Sequence, residues 1–241
     1  MSRIYLVRHG QAGTRDSYDS LSALGRRQAR LLGEYFVCEK LCFAAAYSGA
    51  LVRQWETAQE VRAVYLESSA PFPDITQEPG WNEFDLAHVY AALAPLLSAE
   101  DPEFARQYAE LEAQVRAGAE NPESGVHRRW LPCDVQVVRA WMSGRHPYEG
   151  ESWQAFRERV TACPVQIGAG AQEENIVVFT SATPIGIWSA LAMDVHDQRA
   201  MRLAGVLYNA SCTTLRLQGP DLRLHSFNAV PHLGPDLRTY R

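Results

Sequence analysis

The hexapeptide Asn175-Ile176-Val177-Val178-Phe179-Thr180 limits what this chain can fold into more than any other segment. A continuous β-branched and aromatic run of this length reads as a strand buried on both faces, and such a strand needs helices above and below it. Ile4-Tyr5-Leu6-Val7 has the same character and ends at Arg8-His9-Gly10. Phe43 to Tyr47 and Phe72 to Gln77 are shorter candidates, the second broken by Pro73. Between these runs the period changes. Leu24, Gln28, Leu31, Leu32, Tyr35 and Phe36 recur at helical spacing behind Ser22, which suits an N-cap, and Ala50 to Leu66 repeats the pattern. Thr213 to Leu217 and Leu222 to Leu224 flank Gly219-Pro220-Asp221 as a hairpin would. Strands alternating with helices predict an α/β fold with a largely parallel sheet.

The middle of the chain differs. Leu86 to Leu97, Pro102 to Ala117 and Cys133 to Met142 are helical, with a loop at Asn121 to Gly125. No flexible linker bounds this region. The expectation is one domain, residues 1–241, with a helical insertion at about 86–150 capping the sheet. Tyr90, Tyr108, Trp130 and Trp141 are expected in the core of the insertion, and His88, His127, His146 and His196 at the surface or in loops. A further helix is expected from Gly150-Glu151-Ser152 to about Ile167. Another should open at Pro184, after a turn at Ser181 to Thr183, and run to about Met193. Residues 234–241 read as a tail.

Composition narrows the partners. A formal net charge of -5 over 241 residues argues against general nucleic-acid or membrane-surface binding. No apolar run approaches the ~18 residues of a membrane helix, and the charges at Arg3 and Arg8 break any signal-peptide layout. Five cysteines without a CxxC pair suit a reduced, cytoplasmic protein and no metal site. Cys38 and Cys42 are expected to pack at a helix end. Lys40 is the single lysine, so an anion site here would be built from planar arginine forks.

Four segments share one feature: a strand ends and polar groups follow at once. They are Arg8-His9-Gly10, Ser48 with Arg53 one turn on, Glu83, and Ser181-Ala182-Thr183. Ligands of open α/β sheets bind at the carboxyl ends of parallel strands, where these groups would converge. Two arginines, an imidazole, a carboxyl and a helix N-terminus suit a phosphate ester. The bland readings are a structural histidine, arginines in surface ion pairs, and a solvated acid at Glu83, with Glu78 and Asp85 close by.

Leu6-Val7-Arg8-His9-Gly10-Gln11 resembles the signature of the histidine phosphatase superfamily, which includes phosphoglycerate mutases. The likeness continues through Leu21 to Ala29, Tyr47 to Ala58, Asn82 to Asp85, Gly150 to Ser152, Ser226 to Asn228 and His232-Leu233. It implies a three-layer αβα fold and a small-molecule phosphate ester as substrate. His9 would attack phosphorus and carry a phosphohistidine. Glu83 would protonate the leaving oxygen and then activate water, with burial beside Trp81 and Phe84 raising its proton affinity. Arg8 and Arg53 would grip phosphoryl oxygens, with Ser181 and Thr183 also facing the phosphate, and Gly10 would allow close approach to the ligand. No metal or other cofactor is required.

The chain departs from the family at one place. The family usually carries a second histidine after its late strand, where this sequence has Ala182. Thr183 capping the next helix, backbone N–H groups there, the Ser181 hydroxyl, or His225 or His232 from elsewhere are the possible substitutes. The alternatives to a phosphatase are a degenerate member that binds a phosphorylated ligand with little turnover, and a mutase-type phosphotransferase.

Overall fold

The computed structural model describes residues 2–15, 18–118, 124–128, 130–163, 174–196, 199–218 and 221–240. Its strands are β1 (Ser2–Arg8), β2 (Ala45–Ser48), β3 (Ile75–Gln77), β4 (Asn175–Thr180), β5 (Cys212–Gln218) and β6 (Asp221–Ala229). The helices are α1 (Ala23–Cys38), α2 (Val52–Glu67), α3 (Leu86–Glu100), α4 (Pro102–Gly118), α5 (Gly125–Arg128), α6 (Pro132–Ser143), α7 (Trp153–Thr161), α8 (Ala182–Ala192) and α9 (Ala200–Ala204). The chain divides into two compact units. One holds the sheet, and the other comprises residues 84–159 with 14–17.

In the sheet unit the strand order is β3-β2-β4-β1-β5-β6. The first four strands run parallel, and β5 and β6 close one edge as an antiparallel pair. Period-two alternation on β1 makes two cores. Tyr5 and Val7 pack with Leu32 and Phe36 of α1 and Val61 and Tyr65 of α2. Ile4 and Leu6 pack on the opposite face with Trp81, Ile185 of α8 and Leu207. Each fully buried side chain of this size contributes about 1.5–3 kcal/mol, so both faces of the sheet are covered for the reason the apolar runs suggest.

Several elements depart from expectation for local reasons. β3 starts only at Ile75, because Pro73 has no N–H for the ladder. α7 ends at Thr161, and the buried Cys163 turns into the sheet core (164–167 lie outside the described residues). Ser152 caps this helix, its Oγ accepting from Ala155 N at 3.2 Å. α8 begins at Ala182 with Ser181 in the N-cap place, so neither Thr183 nor a turn precedes it. Pro184 falls inside the first turn, where a missing N–H costs nothing. Cys38 and Cys42 are exposed rather than packed.

The stretch expected as a tail is folded back. Thr239 O accepts from Asn209 N at 2.7 Å, Thr239 Oγ1 donates to Asn209 Oδ1 at 2.9 Å, and Gln28 Nε2 donates to Leu237 O at 2.7 Å. Tyr240 lies against Tyr208 with ring centroids 4.4 Å apart.

The helical unit has its own core. Phe84 stacks on Trp141 at 4.4 Å, and Trp141 meets Trp153 edge-on. Tyr90 stacks on Tyr108 at 5.9 Å. Trp130, expected inside, is exposed. His127, expected at the surface, is wholly buried. Its Nδ1 accepts from Arg15 N at 3.2 Å while its Nε2 faces Gly118 O at 3.0 Å, so the proton sits on Nε2. Beside it Arg15 grips Asp134 with two parallel bonds of 3.0 and 2.7 Å. Asp134 also accepts from Tyr90 and from Leu131 N.

The Asp134 carboxylate is fully buried and the Arg15 side chain only 11% exposed. Burial alone would raise the proton affinity of Asp134, but the bonds and charge of Arg15 outweigh it and hold the carboxyl below its ordinary range. Removing one partner leaves the other charge buried, so Asp134→Ala should cost about 3–5 kcal/mol in urea unfolding. Because the folded value is depressed, the pair's contribution is full above about pH 4 and fades as pH falls through the folded value. The wild type's advantage over Asp134→Ala should therefore shrink in acid, and an advantage independent of pH down to about pH 2 would contradict this account.

Candidate active site

Strand register builds the site. Arg8 pairs with Thr180 across β1 and β4, and Ser48 pairs with Phe179 across β2 and β4. His9 N then donates to Thr180 O at 2.9 Å, and Gly49 N to Phe179 O at 3.0 Å. His9, Gly49 and Ser181 thus leave the same edge of the sheet side by side. Arg53 lies in the first turn of α2, behind Gly49. After β3 the chain makes a 3-10 turn at Pro79–Trp81 before Glu83. That turn is pinned at the Trp81 carbonyl, which accepts from Thr180 Oγ1 at 2.6 Å and Gln54 Nε2 at 3.2 Å. Asn82 Oδ1 takes Ala50 N at 2.6 Å.

Arg8, His9 and Arg53 are 4%, 2% and 6% exposed, so two cations and an imidazole share a buried space. His9 Nδ1 lies 2.8 Å from Gly10 O. A carbonyl only accepts, so Nδ1 carries the proton. Arg53 Nε then donates to His9 Nε2 at 3.2 Å. Burial, followed by the charges of Arg53 and Arg8, pushes the His9 proton affinity well below the ordinary imidazole value. The ring is neutral, with its lone pair on Nε2.

The cations have partners of their own. Arg8 bonds the Leu207 carbonyl through Nη1. Burial draws its guanidinium down from the ordinary value, opposed by Tyr18 and Glu83. Arg53 Nη1 meets Asp19 Oδ1 at 2.8 Å, and its guanidinium carbon lies 4.9 Å from the centroid of the Tyr18 ring. Tyr18 also meets His9 edge-on, centroids 6.2 Å apart. The sequence pattern alone gives neither Tyr18 nor Asp19 a place at the site. The available signal was arithmetic: two buried arginines each need partners, and an aromatic beside an acid stood nearby.

Gly10 has a different reason for being glycine. A Cβ there would meet Gly25 O of α1 at 2.3 Å, and the Gly10 N–H is given to Thr57 Oγ1 at 3.0 Å. The position packs directly against a helix. On either side the loop is clamped. His9 O accepts from Ala210 N at 3.1 Å and lies 3.4 Å from Asn209 Nδ2. Gln11 N donates to Gln28 Oε1 at 2.8 Å. Gln28 and Asn209 are the residues held by Leu237 and Thr239.

Around α8, Ser181 Oγ accepts from Gln54 Nε2 at 2.8 Å, and Thr183 N donates to Glu83 Oε2 at 3.0 Å. Glu83 is half-buried. Trp81 packs on Trp188 at 5.4 Å, and Phe84 belongs to the helical unit. The N–H that reaches Glu83 belongs to the first turn of α8. Neither proposed substitute histidine joins His9. His225 faces Arg216, and His232 lies on Tyr35. Both line a separate cavity of about 230 Å³ with Tyr5, Phe36 and Cys212.

The fold and the strand-end arrangement define a histidine phosphatase-type protein. The family model described as "Histidine phosphatase superfamily (branch 1)" matches residues 4–133 and 127–230, and the chain belongs to that superfamily. Bacillus stearothermophilus YhfR superposes with a TM-score of 0.62 at 19% identity, covering 96% of this chain and 99% of the other. Mycobacterial glucosyl-3-phosphoglycerate phosphatase, solved with inorganic phosphate, gives 0.58 at 21%, with 97% and 100% covered. Phosphoglycerate mutase from Bacillus anthracis gives 0.59 at 18%, with 96% and 94% covered. These neighbours share the fold. In sequence, the chain is 25% identical over 166 residues to the mitochondrial serine/threonine-protein phosphatase Pgam5 of Caenorhabditis elegans, covering 62% of this chain. It spans about half (52%) of that relative's length.

The neutral imidazole gives a pH signature. Its folded proton affinity lies below the unfolded one, so the unfolded chain binds an extra proton below about pH 6.5. Stability is then lost as pH falls from there. His9→Gln should gain on the wild type by up to about 1.4 kcal/mol per pH unit in that window. NMR titration should find the His9 ring still neutral at pH 6, and a ring half-protonated near pH 6.5 would refute the assignment.

Proposed function

We propose that this chain is a phosphomonoester hydrolase acting on small phosphate esters through a phosphohistidine on His9. The observation that carries this reading is the single tautomer of a buried, neutral His9, with Nδ1–H on Gly10 O and the Nε2 lone pair facing the Arg53 guanidinium. An imidazole so placed is a nucleophile waiting for an electrophilic anion. His9 Nε2 attacks phosphorus as the bond to the leaving oxygen breaks, and Arg8 and Arg53 take the charge of the phosphoryl oxygens. Glu83 delivers a proton to the leaving oxygen. The negative charge of an arriving ester favours the protonated carboxyl that this step needs. In the second half, Glu83 removes a proton from water, the hydroxyl attacks phosphorus, the N–P bond breaks and phosphate leaves. This chemistry uses side chains alone, with no metal or other cofactor. We place the protein in the cytoplasm on its free thiols.

The small-ester reading follows the likeness to glucosyl-3-phosphoglycerate phosphatase, whereas the name of Pgam5 points to phosphoproteins. A second reading, binding with little turnover, draws on one observation. Ala182 has no side-chain donor, the Thr183 N–H is given to Glu83 and Pro184 has no N–H. Losing one transition-state donor costs about 10²–10³ in rate.

Aryl phosphate hydrolysis between pH 5 and 8, without added metal, separates the two. The wild type should turn over and form an acid-labile, base-stable phosphoenzyme. His9→Ala should lose both. Glu83→Gln should slow turnover by at least about 10²-fold. Ala182→His should raise kcat if the donor is limiting. A wild type that binds phosphate yet neither hydrolyses the ester nor becomes labelled would favour the binder.

A further inference from the structure

We propose that the Tyr18 hydroxyl is a further catalytic group, donating a hydrogen bond to the transferring phosphoryl group beside Arg8 and Arg53. This rests on the phosphohistidine reading above and goes beyond it.

A transferring phosphoryl group spreads its charge over three equatorial oxygens, and catalysis comes from donors aimed at them. Arg8 and Arg53 supply two sets. At the N-terminus of α8, Ala182 lacks a side-chain donor, the Thr183 N–H serves Glu83 and Pro184 has no N–H. His225 and His232 line a different cavity.

Tyr18 touches all three groups that a phosphate would meet. Its ring lies 4.9 Å from the Arg53 guanidinium carbon. It meets the His9 ring edge-on, centroids 6.2 Å apart and planes at 85°. Its hydroxyl bonds the Arg8 side chain. A guanidinium can only donate, so the phenol oxygen accepts in that contact, and a phenol that accepts can also donate its own O–H. A phosphoryl oxygen held by Arg8 would be a charged acceptor within reach of that hydroxyl, and bonds to charged acceptors are the strong ones. The ring meanwhile orients Arg53 by cation–π contact. The position is one that sequence pattern does not reveal, because Tyr18 comes from a loop before α1 and not from a strand end.

Tyr18→Phe separates these parts, since it keeps the ring and removes the hydroxyl. In aryl phosphate hydrolysis it should lower kcat by about 10²-fold while KM changes little, because the bond strengthens only as charge develops. Calorimetry with vanadate, which adopts the trigonal bipyramid of the transition state, and with inorganic phosphate, which does not, gives a readout that needs no turnover. Tyr18→Phe should weaken vanadate by about 10²-fold and phosphate by less than about threefold. Only folded protein binds either anion, so their ratio is insensitive to stability. Unchanged vanadate affinity, or equal weakening of both anions, would overturn the proposal. His9→Ala retaining wild-type turnover would instead sink the phosphohistidine reading, an outcome distinct from failure of the Tyr18 test.

Discussion

Two guanidinium groups buried against one imidazole set the terms for the sheet unit. Arg8 and Arg53 cannot be neutralised by losing protons, so the fold holds two positive charges away from water and must offset them locally. It does so with the Leu207 carbonyl, the Asp19 carboxylate, the face and hydroxyl of Tyr18, and the field of Glu83. Burial, followed by these two charges, lowers the proton affinity of His9. A structural ion-pair network would bury balanced charges, since an unpaired buried cation is costly. Here Asp19 is half-exposed while Arg53 is buried. Such an arrangement suits the arrival of an anion, as the proposed function requires.

Much of this was legible because parallel strands discharge their polar residues at one edge. The β1–β4 register brings Arg8-His9 beside Ser181, and β2 and β3 deliver Arg53 and Glu83 by the same rule. The apolar runs carried that information on their own, since alternation on β1 dictates two cores and hence helices on both faces. What was not legible depends on contacts far apart in sequence. Nothing near Gly10 reveals that Gly25 presses on it, and the loop's clamps come from Gln28 and Asn209, themselves held by Thr239, which lies 211 residues beyond Gln28 along the chain. Nor does the pattern around Glu83 show that Trp81 turns into the sheet core while Glu83, two residues on, meets the first turn of α8.

His127 and residues 14–15 illustrate the same limit in the helical unit. A histidine next to Arg128 in a polar stretch reads as solvated, yet it is the acceptor for the backbone of Arg15, whose guanidinium closes on Asp134. The planar fork of Arg15 holds Asp134 through two parallel bonds in one geometry, where a point charge would allow several.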